Sequence, residues 1–119
     1  MVKSYRDLKV WQKVIELIPE VYGLMKSFPK TEQYALMDQL RRAVVSVAAN
    51  IAEGQARQHR KEFLQGLYIA RGSLAEVDTL LEVALRLSYI TREQQKSTEK
   101  AIMEIRRMLE VLIKSMQVH

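Results

Sequence analysis

The sequence contains no cysteine, two prolines and four glycines in 119 residues. Without thiols there is no disulfide framework, no thiolate zinc site, no iron–sulfur cluster and no cysteine nucleophile. So few turn formers leave little material for the many tight connections of a β-sandwich or barrel. No apolar run reaches the ~18 residues of a membrane span, and Met1 to Asp7 lacks the apolar core of a signal peptide. The expectation is a cytoplasmic protein with no membrane partner. Histidine is also scarce, with only His59 and His119. Neither stands in the Glu-x-x-His pair of a di-iron bundle, and no carboxylate interrupts an apolar seam. Phosphate-binding glycine loops and a nucleophile elbow are missing too. The residues therefore suggest no catalytic site, no metal site and no cofactor. A small-molecule enzyme would need a buried pocket lined by Arg42, Glu53 and Glu76, and is the least favoured class.

What remains is a chain of 13.9 kDa, 48% hydrophobic, with a mean hydropathy of −0.17. That is one soluble domain, residues 1–119, around one core. Its apolar residues recur with alternating spacings of three and four, the mark of helices. The first segment has one such series at Leu8, Trp11, Ile15, Ile18, Tyr22 and Met25, and a second beside it at Val10, Val14, Leu17, Val21 and Leu24. Two adjacent seams make a face wider than one bundle core needs. The expectation is that the first fills the protomer's own core, with Trp11 and Tyr22 in it. The second would seal against a neighbouring subunit. Ser4 and Asp7 have capping-box-like spacing, and Pro19 should kink the rod.

Later segments repeat the pattern. Met37, Leu40, Val44, Val47 and Ile51 form the second seam, with Thr31 as its N-cap and Gly54 as its closing residue. Phe63, Leu67, Ala70, Leu74, Val77, Leu81 and Ala84 form the third, where Gly66 and Gly72 suggest close backbone approaches. Thr91 caps a fourth helix whose seam is Ile102, Ile105, Leu109, Leu112 and Met116. The other methionines, Met25, Met103 and Met108 among them, are read as packing residues. Short connections favour antiparallel neighbours. The fold class expected is all-α, an up-down-up-down antiparallel four-helix bundle assembling into a ring, with helices over about 5–27, 32–53, 60–89 and 92–117.

Nineteen Lys and Arg against fourteen Asp and Glu give a net charge of +5, which favours polyanionic partners without proving one. Along the chain the third quarter is acidic and the other three are basic. Arg57, His59, Arg60 and Lys61 form an acid-free cluster before the third helix, where a helix N-terminus can add donors to phosphate. It is equally a solvated loop. On the fourth helix Lys96, Lys100, Arg107 and Lys114 line up nearly opposite the seam. Glu93, Glu99, Glu104 and Glu110 dilute that stripe toward an ordinary solvated face. The outer face of the second helix, with Gln39, Arg42, Ser46, Ala49, Asn50 and Glu53, is polar but unusually small, as if another subunit packs closely.

The run Gln39-Leu40-Arg41-Arg42-Ala43-Val44-Val45-Ser46-Val47-Ala48-Ala49-Asn50-Ile51-Ala52-Glu53-Gly54 closely resembles the signature of the four-helix proteins encoded in intervening sequences of bacterial 23S ribosomal RNA genes. The resemblance continues in Leu8-Lys9-Val10-Trp11, Phe28-Pro29 and Ala70-Arg71-Gly72-Ser73-Leu74-Ala75-Glu76, and spans nearly the whole chain. Val45 and Val47-Ala48 depart from it, where the family more often has Ala and Ile-Pro. The resemblance implies a short antiparallel bundle assembling into a homopentameric ring with a central channel. It extends to accessory proteins of diversity-generating retroelements, basic rings that work with a reverse transcriptase and nucleic acid. No catalytic activity attaches to the family.

The expected subunit interface is thus Val10, Val14, Leu17, Val21, Leu24, Arg41, Arg42, Ser46, Asn50, Glu53 and Glu76. Arg41 and Arg42 would pair with acids such as Glu53 or Glu76 across it, since guanidinium forks suit interfaces; phosphate contact is the alternative. Asn50 would hold helix register or a subunit contact, with a ligand contact as its rival. The nucleic-acid surface would be Arg57, His59, Arg60 and Lys61 with Lys96, Lys100, Arg107 and Lys114. Partners are then further copies of the chain, RNA or DNA bound by backbone electrostatics, or, in a rival reading, a protein that the chain scaffolds.

Overall fold

The structure is a computed structural model describing residues 3–117, so His119 lies outside the described residues. Four helices make up the fold: α1 Lys9–Met25, α2 Leu36–Ala56, α3 Arg60–Arg86 and α4 Arg92–Gln117, with no strand among the described residues. Each helix packs on two others: α1 and α3 both lie against α2 and α4, and the most extensive contact joins α2 to α3. The result is an all-α helical bundle 47 Å long and 25 by 20 Å across.

Which seam of α1 faces the core is the main correction to the sequence reading. Val10, Val14, Leu17, Val21 and Leu24, expected to meet a neighbouring subunit, are all buried inside the protomer. Fully burying such side chains contributes about 1.5–3 kcal/mol each, so they are core and not interface. Of the other series, Leu8 and Met25 are buried and Trp11 and Ile18 pack at its edge, but Ile15 and Tyr22 are each 40% exposed. Two parallel seams differ only by a roll of the helix about its axis. The partners that choose the roll come from α2 and α4.

Helix ends follow local chemistry. Tyr5–Asp7 is a separate 3-10 turn, where Ser4 Oγ accepts from the Arg6 amide at 3.1 Å. Leu8 is extended, and α1 starts only at Lys9. The helix continues through Pro19 to Met25. Lys30–Glu32 forms a second 3-10 turn, so Thr31 does not cap α2; instead Glu32 Oε1 accepts from the Leu36 amide at 3.3 Å. α2 runs past Gly54, and the positive φ (61°) that follows it belongs to Gln58. α3 stops at Arg86 rather than 89, closed by Ser88 at φ 64° with the Tyr89 amide donating to the Ala84 carbonyl at 2.9 Å. That is a Schellman closure without glycine. Thr91 does cap α4: its Oγ1 accepts from the Gln94 amide at 3.1 Å, and Gln94 Oε1 accepts from the Thr91 amide at 2.8 Å. This reciprocal pair satisfies two orphan donors.

The core runs the length of the bundle through Leu17, Leu40, Ile51, Leu67, Leu74, Leu81, Ile105 and Leu109. On α4 the buried line is Ile102, Ile105, Leu109 and Ile113, with Leu112 and Met116 at its edge and Met103 exposed. It extends through Thr98 and Gln95, two buried polar residues that an apolar pattern could not reveal. Gly66 and Gly54 let α2 and α3 cross closely: their Cα atoms come together so tightly that a Cβ on either would lie 3.2–3.3 Å from the other's Cα. Gly72, expected to do the same, faces open space.

Candidate nucleic-acid and subunit surfaces

The α2–α3 turn carries the first candidate surface. Arg57, His59 and Lys61 are exposed there. Arg57 ends α2 and reaches Glu62 Oε2 at 3.5 Å, so an acid one residue beyond the acid-free run partly neutralises it. His59 precedes α3, its carbonyl accepting from the Phe63 amide at 2.9 Å. Arg60 opens α3 and donates to the carbonyl of Met116, which joins this turn to the last turn of α4. Beside the turn lies a cleft of ≈ 260 Å³ lined by Asn50, Glu53, Arg57, Glu62, Gln65 and Ile69 over the bare backbone of Gly54 and Gly66.

Lys96, Lys100, Arg107 and Lys114 are all exposed on α4, spanning ~27 Å of helix at 1.5 Å per residue. None makes an ion pair among the described residues. Two of the α4 acids are used elsewhere, Glu104 by Lys13 Nζ at 3.2 Å and Glu110 by Arg71 at 2.9 Å. Arg107 and Lys9 flank an apolar groove of ≈ 350 Å³ between α1 and α4, lined by Leu8, Val10, Met108, Val111 and Leu112. Val111 is 69% exposed, and periodicity gave no warning of this groove because Val111 falls outside the seam.

The outer face of α2 differs in detail from its sequence reading. Arg41 and Arg42 both turn to Asp38 of their own helix, at 3.6 and 3.2 Å, and Arg41 also donates to the Gln33 carbonyl at 3.2 Å. Within the chain their partner is therefore Asp38, a spacing of three and four that the sequence already displayed. Asn50 Nδ2 donates to the Ser46 carbonyl at 2.8 Å and to Ser46 Oγ at 2.9 Å; Ser46 Oγ in turn meets Ser73 Oγ of α3 at 3.0 Å. This half-buried polar chain ties α2 to α3, and Ser73 was its unrecognised member. Arg42, Ser46 and Asn50 also line a shallow depression of ≈ 550 Å³ with Tyr22, Val45 and Ala49. Glu53 lines the other cleft, so Arg42 and Glu53 do not converge, and Glu76 stands exposed on α3.

Ring chemistry is concentrated at three places that sequence spacing did not single out, one of them Arg71 over Tyr68, 5.2 Å from the ring centre. Arg6 lies over Trp11 and Tyr5, 5.3 and 5.8 Å from their ring centres, and these two rings meet edge to face. Trp11 is thus a half-buried platform for a cation. At the other end of the bundle Tyr89 packs on Phe28 and its hydroxyl donates to Glu32 Oε2 at 2.7 Å. That bond first, then burial and the carboxylate's charge, raises the Tyr89 pKa above the ordinary 10.0. Among the described residues no group of three or more His, Asp or Glu could hold a metal ion, and no helix is long and apolar enough to cross a membrane.

With this geometry in place, the sequence profile of the 23S rRNA-intervening sequence proteins matches residues 6–111. The chain belongs to that family. The family has a solved relative from Bacteroides thetaiotaomicron VPI-5482, a protein of unknown function from the S23 ribosomal protein family. It is 32% identical, superposes with a TM-score of 0.80, and the match covers 88% of this chain and 98% of that one. No curated protein matches. For a 23S rRNA-intervening sequence protein the signature helix is now physically legible. Ser46 and Ala49 line the shallow depression, Ser46 braced by Asn50 meets Ser73 of α3, and Gly54 meets Gly66.

Proposed function

We propose that this protein is a non-enzymatic, cytoplasmic, ring-forming bundle that binds RNA or DNA through basic surfaces without reading sequence. One observation carries the binding reading: Lys61, Lys96, Lys100, Arg107 and Lys114 are exposed and make no ion pair among the described residues. Arg57, His59 and Arg60 stand in the turn beside Lys61. Unpaired cations at a surface release counterions from a phosphate backbone, and such binding weakens steeply with salt. Contacts of this kind go to phosphate and carry no sequence information, so the proposed readout is of backbone charge and shape.

An up-down-up-down order is supported by pairs whose numbers run in opposite senses. Ser46 meets Ser73 while Gly54 meets Gly66, and Arg71 meets Glu110 while Arg60 meets Met116. Lys13 meets Glu104 while Glu20 accepts from Ser97. For assembly, the support is the depression on α2 with Val45 and Tyr22, 44% and 40% exposed among small polar residues. Arg41, Arg42, Ser46, Asn50 and Glu53 belong to or border this face, while Glu76 lies on α3. A homopentamer is the closed form the family resemblance implies.

RNA titrated at two salt concentrations tests the binding: affinity that falls by orders of magnitude between ~50 and ~200 mM salt is expected. Salt-indifferent affinity, or none, ends the proposal. The second reading, a scaffold for a protein partner, is favoured by the apolar groove between Lys9 and Arg107, which suits an apolar segment flanked by carboxylates. Partners retained after nuclease treatment would favour it.

A further inference from the structure

The fold sorts charge that the sequence scatters. Arg60 with Met116, Tyr68 with Gln117, and Lys9 beside Arg107 bring the start of α1, the α2–α3 turn and the end of α4 to one end of the bundle. Ser27 with Tyr89 and Tyr89 with Glu32 bring the α1–α2 and α3–α4 connections to the other. The Ser46–Ser73 contact marks the middle of α2 and α3. Cutting each helix at its midpoint puts residues 3–16, 47–72 and 105–117 in one half and 17–46 and 73–104 in the other. The first half holds eleven Lys and Arg against five Asp and Glu; the second holds eight against nine. All the net positive charge therefore lies at one pole. Moving Glu104, which sits at the cut, changes this by one charge only.

Unpaired acids set the poles apart. At the basic pole Lys9, Lys61, Arg106, Arg107 and Lys114 are exposed and make no ion pair among the described residues, as is true of Arg6 over its two rings. At the far pole Lys26, Lys30, Arg92, Lys96 and Lys100 are likewise exposed without an ion pair among the described residues, but Glu20, Glu76, Asp78, Glu93 and Glu99 make no ion pair there either and offset their charge. The poles are also independent: the bundle is 47 Å long, while charges in ~0.1 M salt are screened within ~10 Å. A phosphate chain at one end does not feel the other.

We infer that nucleic acid binds end-on, to the pole formed by the start of α1, the α2–α3 turn and the last turns of α4, and not along the α4 stripe. Lys96 and Lys100, at the far half, fall outside this site, whereas Arg107 and Lys114 fall within it. The inference rests on the nucleic-acid reading and narrows it to one place. In a cyclic assembly whose axis runs along the bundles, rotation would carry every copy's basic pole to the same side.

The test compares two triple variants of equal charge change in the full chain. One is Lys9→Gln, Lys61→Gln and Lys114→Gln; the other is Lys26→Gln, Lys30→Gln and Arg92→Gln. All six positions are exposed, and matched thermal melts verify that both variants fold. The double variant Lys61→Gln, Lys114→Gln provides a milder step. Binding of an RNA hairpin and of a DNA duplex is measured across a salt series. The basic-pole variant should lose about ten-fold or more in affinity at low salt. Its salt slope on the duplex should fall by about two to three, near 0.9 per phosphate contact removed. The far-pole variant should bind like the native chain. Equal losses in both variants would overturn the end-on site while leaving nucleic-acid binding intact. If the native chain binds neither probe at low salt, the nucleic-acid reading falls and the site with it.

Discussion

The carbonyl oxygen of Asn50 lies 2.5 Å from where a Cβ on Gly66 would stand. A residue whose side chain braces Ser46, the α2 hydroxyl that meets Ser73 of α3, thus also sets the closest approach of α2 and α3 by its backbone. Neither atom can yield cheaply, because both belong to helix backbones in the most extensive contact of the bundle.

Gly66→Ala should therefore lower stability, by up to ~2 kcal/mol: overpacking costs ~1–3 kcal/mol, and the helix propensity of alanine returns only ~1. Gly72→Ala, with nothing within 4 Å of its new methyl, should raise stability by up to ~1 kcal/mol. Urea unfolding midpoints of the two variants decide this. Equal shifts of one sign would contradict the crossing.

Removing the α4 cap is a second case. Thr91→Ala deletes the hydroxyl that accepts from the Gln94 amide and should cost about 1 kcal/mol. Thr31→Ala, at a position that caps no helix, should stay within ~0.5 kcal/mol of the native chain. Paired denaturation curves are sufficient.

Alkaline stability follows from Tyr89. Its folded pKa is raised, by the Glu32 hydrogen bond before burial and charge. The stabilisation is then complete below the unfolded tyrosine pKa of 10.0 and is lost as pH rises through the higher folded value. Tyr89→Phe should melt below the native chain at neutral pH, and the gap should close at strongly alkaline pH. A gap that stays constant from about pH 8 to about pH 11 would exclude this linkage.

Assembly is tested on the α2 face. Val45→Arg adds a cation beside Arg41 and Arg42 and should weaken self-association by ten-fold or more, about 1.4 kcal/mol. Sedimentation equilibrium at micromolar concentration reads the outcome. A native chain that is already a monomer there removes the ring reading.

Four helices were legible because their apolar positions repeat at three and four, a period that local geometry imposes. Thr91 was legible as a cap for the same local reason. The errors lie where a local signal had competitors. Gly54 looked like a stop, yet it serves a helix crossing, and non-glycine residues at positive φ, Gln58 and Ser88, close the helices. Within the chain Arg41 and Arg42 pair with Asp38, one turn away on α2.

By itself the sequence determined the helical class, the family signature and a surplus of cations, all properties of spacing and composition. Tertiary structure alone decided which of two seams on α1 became core. Rolling the helix exchanges them, and only α2 and α4 supply the surfaces that select Val14 over Ile15. It also decided that the cations gather at one end. Their positions along the chain are spread over three quarters of it, and helices must fold back on one another before Lys9, Lys61 and Lys114 share a pole.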